Sequence, residues 1–397
     1  MNNKEVENAN SYKVHPNTER ILHFRRTCAE IVHSNKLSFD CLSIDMVHEF
    51  KRVMQDQAEL DRKIAFCEDL QSTIQRINPT WNFRIVPTGS SVTGLATRNS
   101  DLDVAIHIPQ VARIVEEMCS GRLVTAEEKL VMWRECDDRF APLCFVVKKW
   151  ADSTGVKNPK DGGFNSYALV LLVIHFLQCG TSPPILPNLI KIYKGMNFIA
   201  QSEHDFPERL DLEAPFPKPL PTFSPNDASI AHLFFEFLNY YSGFKFDENY
   251  ISIKDACVYS RSLIFVGNCS VCELFCFRKS SILPEAVRNQ KQKQVYIEDP
   301  FDSHNPGRTV RSIRTLKKIF KMTIKKFNPN ACSQDDNSST NSDSNFKFPT
   351  LSDILNMSLS NQEEEDEEAQ KEDENEEEEE EVQNVSVNGC NEFVEWR

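Results

Sequence analysis

Asp101 and Asp103 stand one residue apart in Asp-Leu-Asp-Val-Ala-Ile, a stretch whose alternation predicts a β-strand. Side chains two positions apart on a strand share one face, so the two carboxylates lie side by side. Hard divalent cations such as Mg²⁺ prefer such oxygen ligands. Upstream, Gly89-Ser90 begins a turn that offers backbone N–H groups and a hydroxyl to phosphate. The combination predicts phosphoryl transfer on a metal-bound nucleotide, whereas an isolated Asp-x-Asp would indicate a solvated surface strand.

The elements that must position these residues follow from hydrophobic spacing. Apolar residues recur with helical period over 17–34 and 45–77, and Asn78-Pro79 ends the second helix. Trp81–Val86 alternates as a short strand before the turn, and 101–108 is the next strand. Further helices are predicted at Val111–Met118, Ala126–Cys136, Pro142–Trp150, Ser166–Gln178, Ile230–Tyr240 and Arg311–Phe327.

The segment from Gly89 to Ile106 as a whole resembles the signature of the DNA polymerase β-like nucleotidyltransferases. The resemblance implies that Gly89 and Ser90 hold the triphosphate of a nucleotide. It also implies that Asp101 and Asp103 are the catalytic residues and the ligands of the metal ions, Mg²⁺ or Mn²⁺.

Five later stretches resemble the terminal uridylyltransferases and non-canonical poly(A) polymerases, namely 137–151, 163–167, 184–189, 226–240 and 297–308. The resemblance implies that Lys148 reaches the triphosphate and that Tyr167 stacks on the base. Ser166 begins a predicted helix, where it would cap the helix or bind phosphate. The remaining nucleotide-binding residues implied in this way are Asp299, Asp302 and His304, of which the two aspartates position the base.

His304 bears on the choice of base. In the family a histidine in this loop fills the space that a purine would need, so the resemblance favours UTP over ATP. The loop between Phe301 and His304 is one residue shorter than in the family. A second departure is Asp152, which occupies the position of a second triphosphate lysine; Lys149 or Lys157 is the candidate replacement.

The largest departure lies between Asp103 and Asp137, which are only 34 residues apart. Val111–Met118 supplies the expected helix, but the strands that carry the third catalytic carboxylate in the family have no counterpart. The nearby glutamates lie on helix-like segments. Three interpretations remain: a skipped-exon or mispredicted form of an active enzyme, an inactive paralogue that binds RNA, or a site completed by an unrecognised residue.

The predicted fold class is α+β. A small polymerase β-like palm, with a shortened mixed sheet and helices, joins a larger, mostly helical central and PAP-associated domain. The predicted domains are a disordered segment 1–15, an N-terminal helix 16–40 on the central domain, the palm 41–136, the central and PAP-associated domain 137–330, and a disordered acidic tail 331–397.

Charge is distributed unevenly along the chain. The net charge is −14, but Glu363–Glu381 alone holds 15 acidic residues and one lysine, and residues 1–330 carry a balance of +4. An RNA partner is therefore compatible with the low overall charge. Thirteen scattered cysteines predict a reduced, intracellular chain. A zinc site at Cys269-x₂-Cys272-x₃-Cys276 is the less favoured alternative, because no second pair or histidine lies nearby.

The function implied is addition of UMP from UTP to the 3′ end of single-stranded RNA by two-metal phosphoryl transfer. The alternatives are an inactive RNA-binding or scaffold protein and an adenylyltransferase. The sequence predicts no membrane segment and leaves open the oligomeric state and whether a protein partner delivers the RNA. The expected location is the cytoplasm, with the nucleus as the alternative.

Overall fold

The structure, a computed structural model, describes residues 18–108, 130, 133–189, 226–261, 294–299, 305–328 and 347–357. The predictions for Asp302, His304, the 111–118 helix, the 269–276 cysteines and the terminal segments 1–15 and 363–381 lie outside these ranges.

Three helices open the described chain: α1 (Thr18–Ser34), α2 (Lys36–Val53) and α3 (Gln57–Ile77). The prediction of one helix over 45–77 is therefore wrong. Met54 adopts an extended conformation, and the side chain of Asp56 accepts a hydrogen bond from the N–H of Glu59 and so begins α3. Met54 instead forms a β-bridge with Thr97, which brings the break between the helices against the loop that precedes Asp101.

The palm is a two-stranded antiparallel ribbon covered by α3. Its elements are β1 (Arg84–Thr88), the short helix α4 (Ser90–Thr93) and β2 (Asp103–His107). Thr88 at the end of β1 lies opposite Asp103 at the start of β2. A small apolar cluster of Cys67, Phe83 and Ile85 joins α3 to β1.

The outer strand of this ribbon exposes apolar residues. Val104, Ile106 and Ile108 are 42%, 60% and 42% exposed. They alternate along the strand and therefore share one face. Over the described residues, β2 pairs with β1 alone. A short sheet of this kind agrees with the shortened palm that the sequence predicts.

The larger part of the molecule is helical. Its long helices are α5 (Phe140–Ser153), α6 (Ser166–His175, continued by a π-helical turn to Gly180), α7 (Ile230–Ser242) and α8 (Ile313–Phe327), followed by the short α9 (Leu351–Leu355). The middle of α6 is apolar on every side, and each residue from Ala168 to His175 is buried. A helix of this composition forms the centre of a helical domain.

An aromatic cluster holds these helices together. The ring of Trp150 on α5 lies 4.9 Å from that of Phe320 on α8, and its indole N–H donates to Thr323 at 2.9 Å. The apolar stripe predicted for α8 is confirmed, because the following residues are all buried: Ile313, Leu316, Ile319, Phe320, Ile324 and Phe327. Aromatic packing of this extent is a main source of stability in a helical domain.

Arg139 joins the beginning of α5 to the segment before α7. Its guanidinium pairs with both carboxylate oxygens of Asp137 and donates to the carbonyls of Asn226 and Ala228 at 2.7 and 2.9 Å. The Asp-x-Arg segment identified in the sequence therefore has a structural role. The bidentate geometry suits arginine better than lysine.

A second sheet follows α7. It contains β3 (Asn249–Ser252), β4 (Cys257–Ser260) and β5 (Ile297–Glu298) in the order β4-β3-β5. β3 is antiparallel to β4 and parallel to β5. The two small sheets and the dominant helices confirm the predicted α+β class. None of the helices in the described ranges is long and apolar enough to cross a membrane.

Candidate active site

The two predicted catalytic aspartates lie at and just before the start of β2, and both are exposed to solvent. Directly opposite residues of an antiparallel pair point to the same face, so Asp103 shares a face with Thr88. β2 begins at Asp103 and not at Asp101 as the sequence predicts, so Asp101 lies two positions before the paired strand. The turn that contains Gly89 begins directly after Thr88, so Asp103 and the turn are neighbours.

Gly89 fits against the carboxylate of Asp103. A Cβ atom built on Gly89 would lie 2.5 Å from Oδ2 of Asp103, and the φ angle of Gly89 is +67°. A larger residue would therefore be strained and would displace the carboxylate. Ser90 begins α4 directly afterwards, and the first N–H groups of a helix have no acceptor within the helix. The turn thus directs polar donors toward the aspartate face.

Two carboxylates fit a divalent cation that arrives with a nucleotide, because Mg²⁺ is commonly bound by one or two carboxylates together with substrate phosphates. Among the residues that the structure describes, no group of three or more His, Cys, Asp or Glu side chains could hold a metal ion. Residues 109–129, which lie between Asp103 and Asp137, are outside the described ranges, so the missing third carboxylate stays a prediction from the sequence.

Lys148 on α5 approaches the palm. Its ammonium donates to the carbonyl of Leu95 at 3.3 Å, just beyond the end of α4. Burial lowers the pKa of Lys148, and the nearby positive charge of Lys157 lowers it further. An ammonium that has lost much of its hydration is well suited to bind a phosphate anion. The structure thus brings Lys148 beside the Gly89-Ser90 turn.

The two candidates for the second triphosphate lysine lie in different surroundings. Lys157 forms a 3.0 Å ion pair with Asp152 and is close enough to Lys148 to affect its pKa. Lys149 is exposed and faces Glu49 on α2, whose pKa is lowered mainly by its hydrogen bond with Arg52 and to a smaller extent by the charge of Lys149. Lys157 is therefore the candidate for the second triphosphate lysine that lies near Lys148.

The predicted base-binding residues at the start of α6 are held by asparagines. Asn165 caps α6 by accepting from the N–H of Ala168 at 2.8 Å, so the capping role considered for Ser166 is wrong. The amide of Asn165 also donates to the carbonyl of Pro306 at 3.0 Å. Ser166 and Tyr167, both partly buried, thus lie beside the 3₁₀ turn Pro306–Thr309 that follows the loop containing His304.

Asn305 closes that loop. Its side-chain oxygen accepts from the N–H groups of Ile297 and Gly307 at 3.1 and 2.8 Å, and its amide donates to Val295 at 2.9 Å. Asp299, which directly follows β5, is buried. Burial raises the pKa of the adjacent Glu298, which accepts a hydrogen bond from Ser252. The hydrogen bonds of Asn305 therefore connect β5 and the residues before it to the 3₁₀ turn that begins at Pro306.

Sequence reasoning missed Lys63. The side chain is 8% exposed, although the helical spacing of α3 assigns Ile64 to the buried face. Its position, four residues before the buried Cys67, was the available signal. Sequence reasoning also missed the asparagines Asn165 and Asn305, which support the base-binding segment.

Two family models match the chain. Residues 42–152 match the central palm domain of mitochondrial-like poly(A) RNA polymerases, and residues 229–305 match the PAP-associated domain of the Cid1 family of poly(A) polymerases. Both matches agree with the resemblance found in the sequence. The chain thus contains a central palm domain like that of mitochondrial-like poly(A) RNA polymerases and a PAP-associated domain.

The curated relatives of the chain include proteins named poly(A) RNA polymerase. The chain is 26% identical to GLD2 of Danio rerio over 335 residues, which is 72% of this chain and 61% of the relative. It is 26% identical to GLD2 of Homo sapiens, over 68% of this chain and 60% of the relative. Identity to gld-2 homolog A of Drosophila melanogaster is 30%, over 48% of this chain and 12% of the relative. The chain thus spans about 60% of the vertebrate relatives and a smaller part of the insect one.

Solved structures of the same fold include Cid1 in complex with its short product ApU, which aligns with a TM-score of 0.54 at 20% identity over 81% of this chain and 99% of that chain. Cid1 in complex with the UTP analogue UMPNPP aligns with a TM-score of 0.53 at 20% identity, over 81% and 100% of the two chains. At this level of identity the likeness establishes the fold.

Proposed function

We propose that this chain transfers nucleoside monophosphates from a nucleoside triphosphate to the 3′ end of single-stranded RNA, with release of pyrophosphate. The observation that carries the proposal is the close approach of Asp103 to the Gly89-Ser90 turn, with Asp101 two positions before it in the chain. The matches to the two polymerase domain models support the same reaction. The acceptor is the 3′-hydroxyl of the RNA, which attacks the α-phosphate.

The residues around the turn account for triphosphate binding. The hydroxyl of Ser90 and the N–H groups at the start of α4 would donate to phosphate oxygens, and Lys148 and Lys157 would add positive charge. Asp101 and Asp103 would hold Mg²⁺ or Mn²⁺, which when bound neutralises phosphate charge and lowers the pKa of the attacking hydroxyl. The protein contributes mainly by orienting the reacting groups.

UTP is the substrate favoured by this proposal. Tyr167 would stack on the base, and Asp299, Asp302 and His304 would recognise its edge. Support for uridine comes from the family pattern at His304, and the names of the Cid1 structures describe a poly(U) polymerase. Adenylyl transfer is the second candidate, because the curated relatives are named poly(A) RNA polymerases.

A basic surface on α8 is proposed to hold the RNA. Arg314, Lys321, Lys325 and Lys326 are exposed on the side of α8 opposite its buried stripe. Such a row of cations binds phosphates without regard to sequence, and its contribution weakens as salt is raised. A protein that binds RNA here without turnover is the remaining alternative, supported by the short spacing between Asp103 and Asp137 in the sequence.

The test uses purified full-length protein, a labelled single-stranded RNA, Mg²⁺ or Mn²⁺ and each nucleoside triphosphate separately. We expect extension of the RNA with UTP and none with the double variant Asp101→Ala, Asp103→Ala. Replacement of His304 by alanine should shift the preference from UTP toward ATP.

Each alternative has its own outcome. Extension with ATP alone would establish the adenylyltransferase. A folded wild-type protein that binds RNA but extends it with no nucleotide would overturn the proposed transferase activity in favour of a binding protein. Equal extension by the double variant and the wild type would rule out the role of the two aspartates.

A further inference from the structure

Lys63 places an ammonium group in the interior of the palm. The residue is 8% exposed, and its Nζ donates to Oε1 of Gln55 at 2.9 Å, Oγ of Ser91 at 3.0 Å and the carbonyl of Ser100 at 2.9 Å. Three donors therefore meet three acceptors, which is the full capacity of a lysine side chain. The geometry is that of a satisfied buried cation.

A cation at this position is costly for the fold alone. In the described part of the chain, Lys63 forms no ion pair with a carboxylate, so neutral oxygens alone replace its hydration. Buried charges can often be exchanged for apolar residues of similar volume with no loss of stability. The role of the ammonium is therefore to be sought in the segments that its hydrogen bonds connect.

Two of the three acceptors, Ser91 and Ser100, lie on the segments that carry the proposed nucleotide and metal ligands. Ser91 directly follows Ser90, and Ser100 directly precedes Asp101. Lys63 thus joins the phosphate-binding turn to the first aspartate through a single atom. The pairing of β1 with β2 fixes Thr88 against Asp103, but this ladder does not extend to the loop between Gly94 and Ser100, which is held by the bridge of Met54 with Thr97.

Gln55 completes the network from the break between α2 and α3. Its side-chain amide donates to the carbonyl of Ser91 at 3.0 Å, and its backbone N–H donates to Ala96 at 3.1 Å. The N–H of Arg98 donates to Val53 at 2.9 Å in the same region. The loop that leads to Asp101 is therefore bound along its length to this break, with Lys63 beneath it.

We infer that Lys63 is a positioning residue for the metal–nucleotide site: its ammonium fixes the Ser90–Ser91 turn and Asp101 at the separation that a metal-bound triphosphate requires. The inference deepens the proposed function and rests on it for the identity of the ligand. Replacing a residue that orients a metal ligand through a hydrogen bond commonly weakens metal affinity by about 10–100-fold. Lys63 acts through Ser91 and Ser100 and does not touch the substrate.

The decisive variant is Lys63→Met in the full-length protein, which keeps the length of the side chain and removes all three donors. Binding of Mn²⁺ in the presence of UTP or ATP is measured by the electron paramagnetic resonance signal of free Mn²⁺. We expect the affinity to fall about 10–100-fold. Amide hydrogen exchange, followed by mass spectrometry, should become faster over residues 89–101 than in the wild type.

The matched control is Cys67→Ala, which disturbs the apolar contacts of α3 with Phe83 and Ile85 one helical turn away from Lys63. It should lower the melting temperature of the palm but leave Mn²⁺–nucleotide affinity and exchange over 89–101 unchanged. Ser91→Ala removes one acceptor of the ammonium and should weaken binding in the same direction as Lys63→Met. If Lys63→Met does not fold, Ser91→Ala decides the question by the same two measurements.

Two results distinguish the failure of this inference from that of the proposed function. A folded Lys63→Met protein with wild-type nucleotide affinity and wild-type exchange over 89–101 would overturn the role of Lys63. A wild-type protein that binds no Mn²⁺–nucleotide would overturn the proposed function. In that case the exchange measurement still decides whether Lys63 holds the turn and the Asp101 segment together.

Discussion

In the helical part of the molecule Trp150 packs against both Phe234 and Phe320, whereas the described part of the palm combines a small apolar cluster around Cys67 with the buried ammonium of Lys63. The first region is held by aromatic packing, and the second depends on directional hydrogen bonds. Packing tolerates small shifts, while a polar network holds atoms at set distances. The comparison indicates that the helical part contributes most of the folding stability. The palm instead sets the positions of the proposed metal and nucleotide ligands.

The largest expected effect is on stability. Trp150→Ala should lower the free energy of unfolding by about 3–5 kcal/mol, because Trp150 is completely buried and its replacement leaves a large cavity. Cys67→Ala in the palm should cost about 1 kcal/mol, since it removes a single buried sulfur atom. Urea denaturation followed by circular dichroism measures both. If the two variants lose equal stability, the contrast between the two regions is wrong.

A second prediction concerns the pH dependence of stability and tests the helical part of the molecule. His175 is completely buried, and burial lowers its pKa from 6.5 to about 3. The unfolded chain takes up a proton below pH 6.5, but the folded chain does not do so until about pH 3. Stability should therefore fall as the pH drops through this window, by up to about 1.4 kcal/mol per pH unit.

The variant His175→Phe should reduce this slope, because it removes the proton uptake of the unfolded chain at that position. His48→Gln, at an exposed position of α2, is the control. Urea denaturation of the three proteins at several pH values between 4 and 7 gives the slopes. An unchanged slope in His175→Phe would show that the buried imidazole does not govern the acid sensitivity of the helices.

The smallest expected effect is on nucleotide binding. Lys157→Ala should raise the KM for the nucleoside triphosphate by about 3–10-fold and leave kcat nearly unchanged, because a partly exposed cation that already pairs with Asp152 adds modest binding energy to a phosphate. Lys149→Ala is the matched control on the other side of α5. Steady-state extension of RNA measures both constants. A larger effect for Lys149→Ala than for Lys157→Ala would reverse the assignment of the second triphosphate lysine.

Periodic patterns in the sequence predicted the elements that depend on local residues. The buried stripe of α8 follows directly from its helical spacing, and alternation predicts the strand that contains Asp103, although this strand begins two residues later than predicted. These features need no knowledge of distant partners. The same holds for α6, whose uniformly apolar residues indicate a central helix.

Features that depend on distant partners were not predicted. Lys63 is buried because Ser91 and Ser100, about 30 to 40 positions later, supply acceptors, and a spacing pattern counts lysine as a surface residue. The break at Met54–Asp56 likewise depends on the bridge from Met54 to Thr97. Asn165 rather than Ser166 caps α6. The amide of Asn165 also donates to the carbonyl of Pro306, a partner about 140 positions later that a local pattern does not indicate.

The exposed face of β2 has a consequence for how the protein behaves at high concentration. Val104, Ile106 and Ile108 form a row of apolar side chains on a strand that pairs on one side alone over the described residues. Such a strand can pair with the same strand of another molecule, and it does so more readily as the concentration rises. Purification at low concentration with mild detergent, or a charged substitution at Ile106, should therefore limit aggregation without touching the aspartate face.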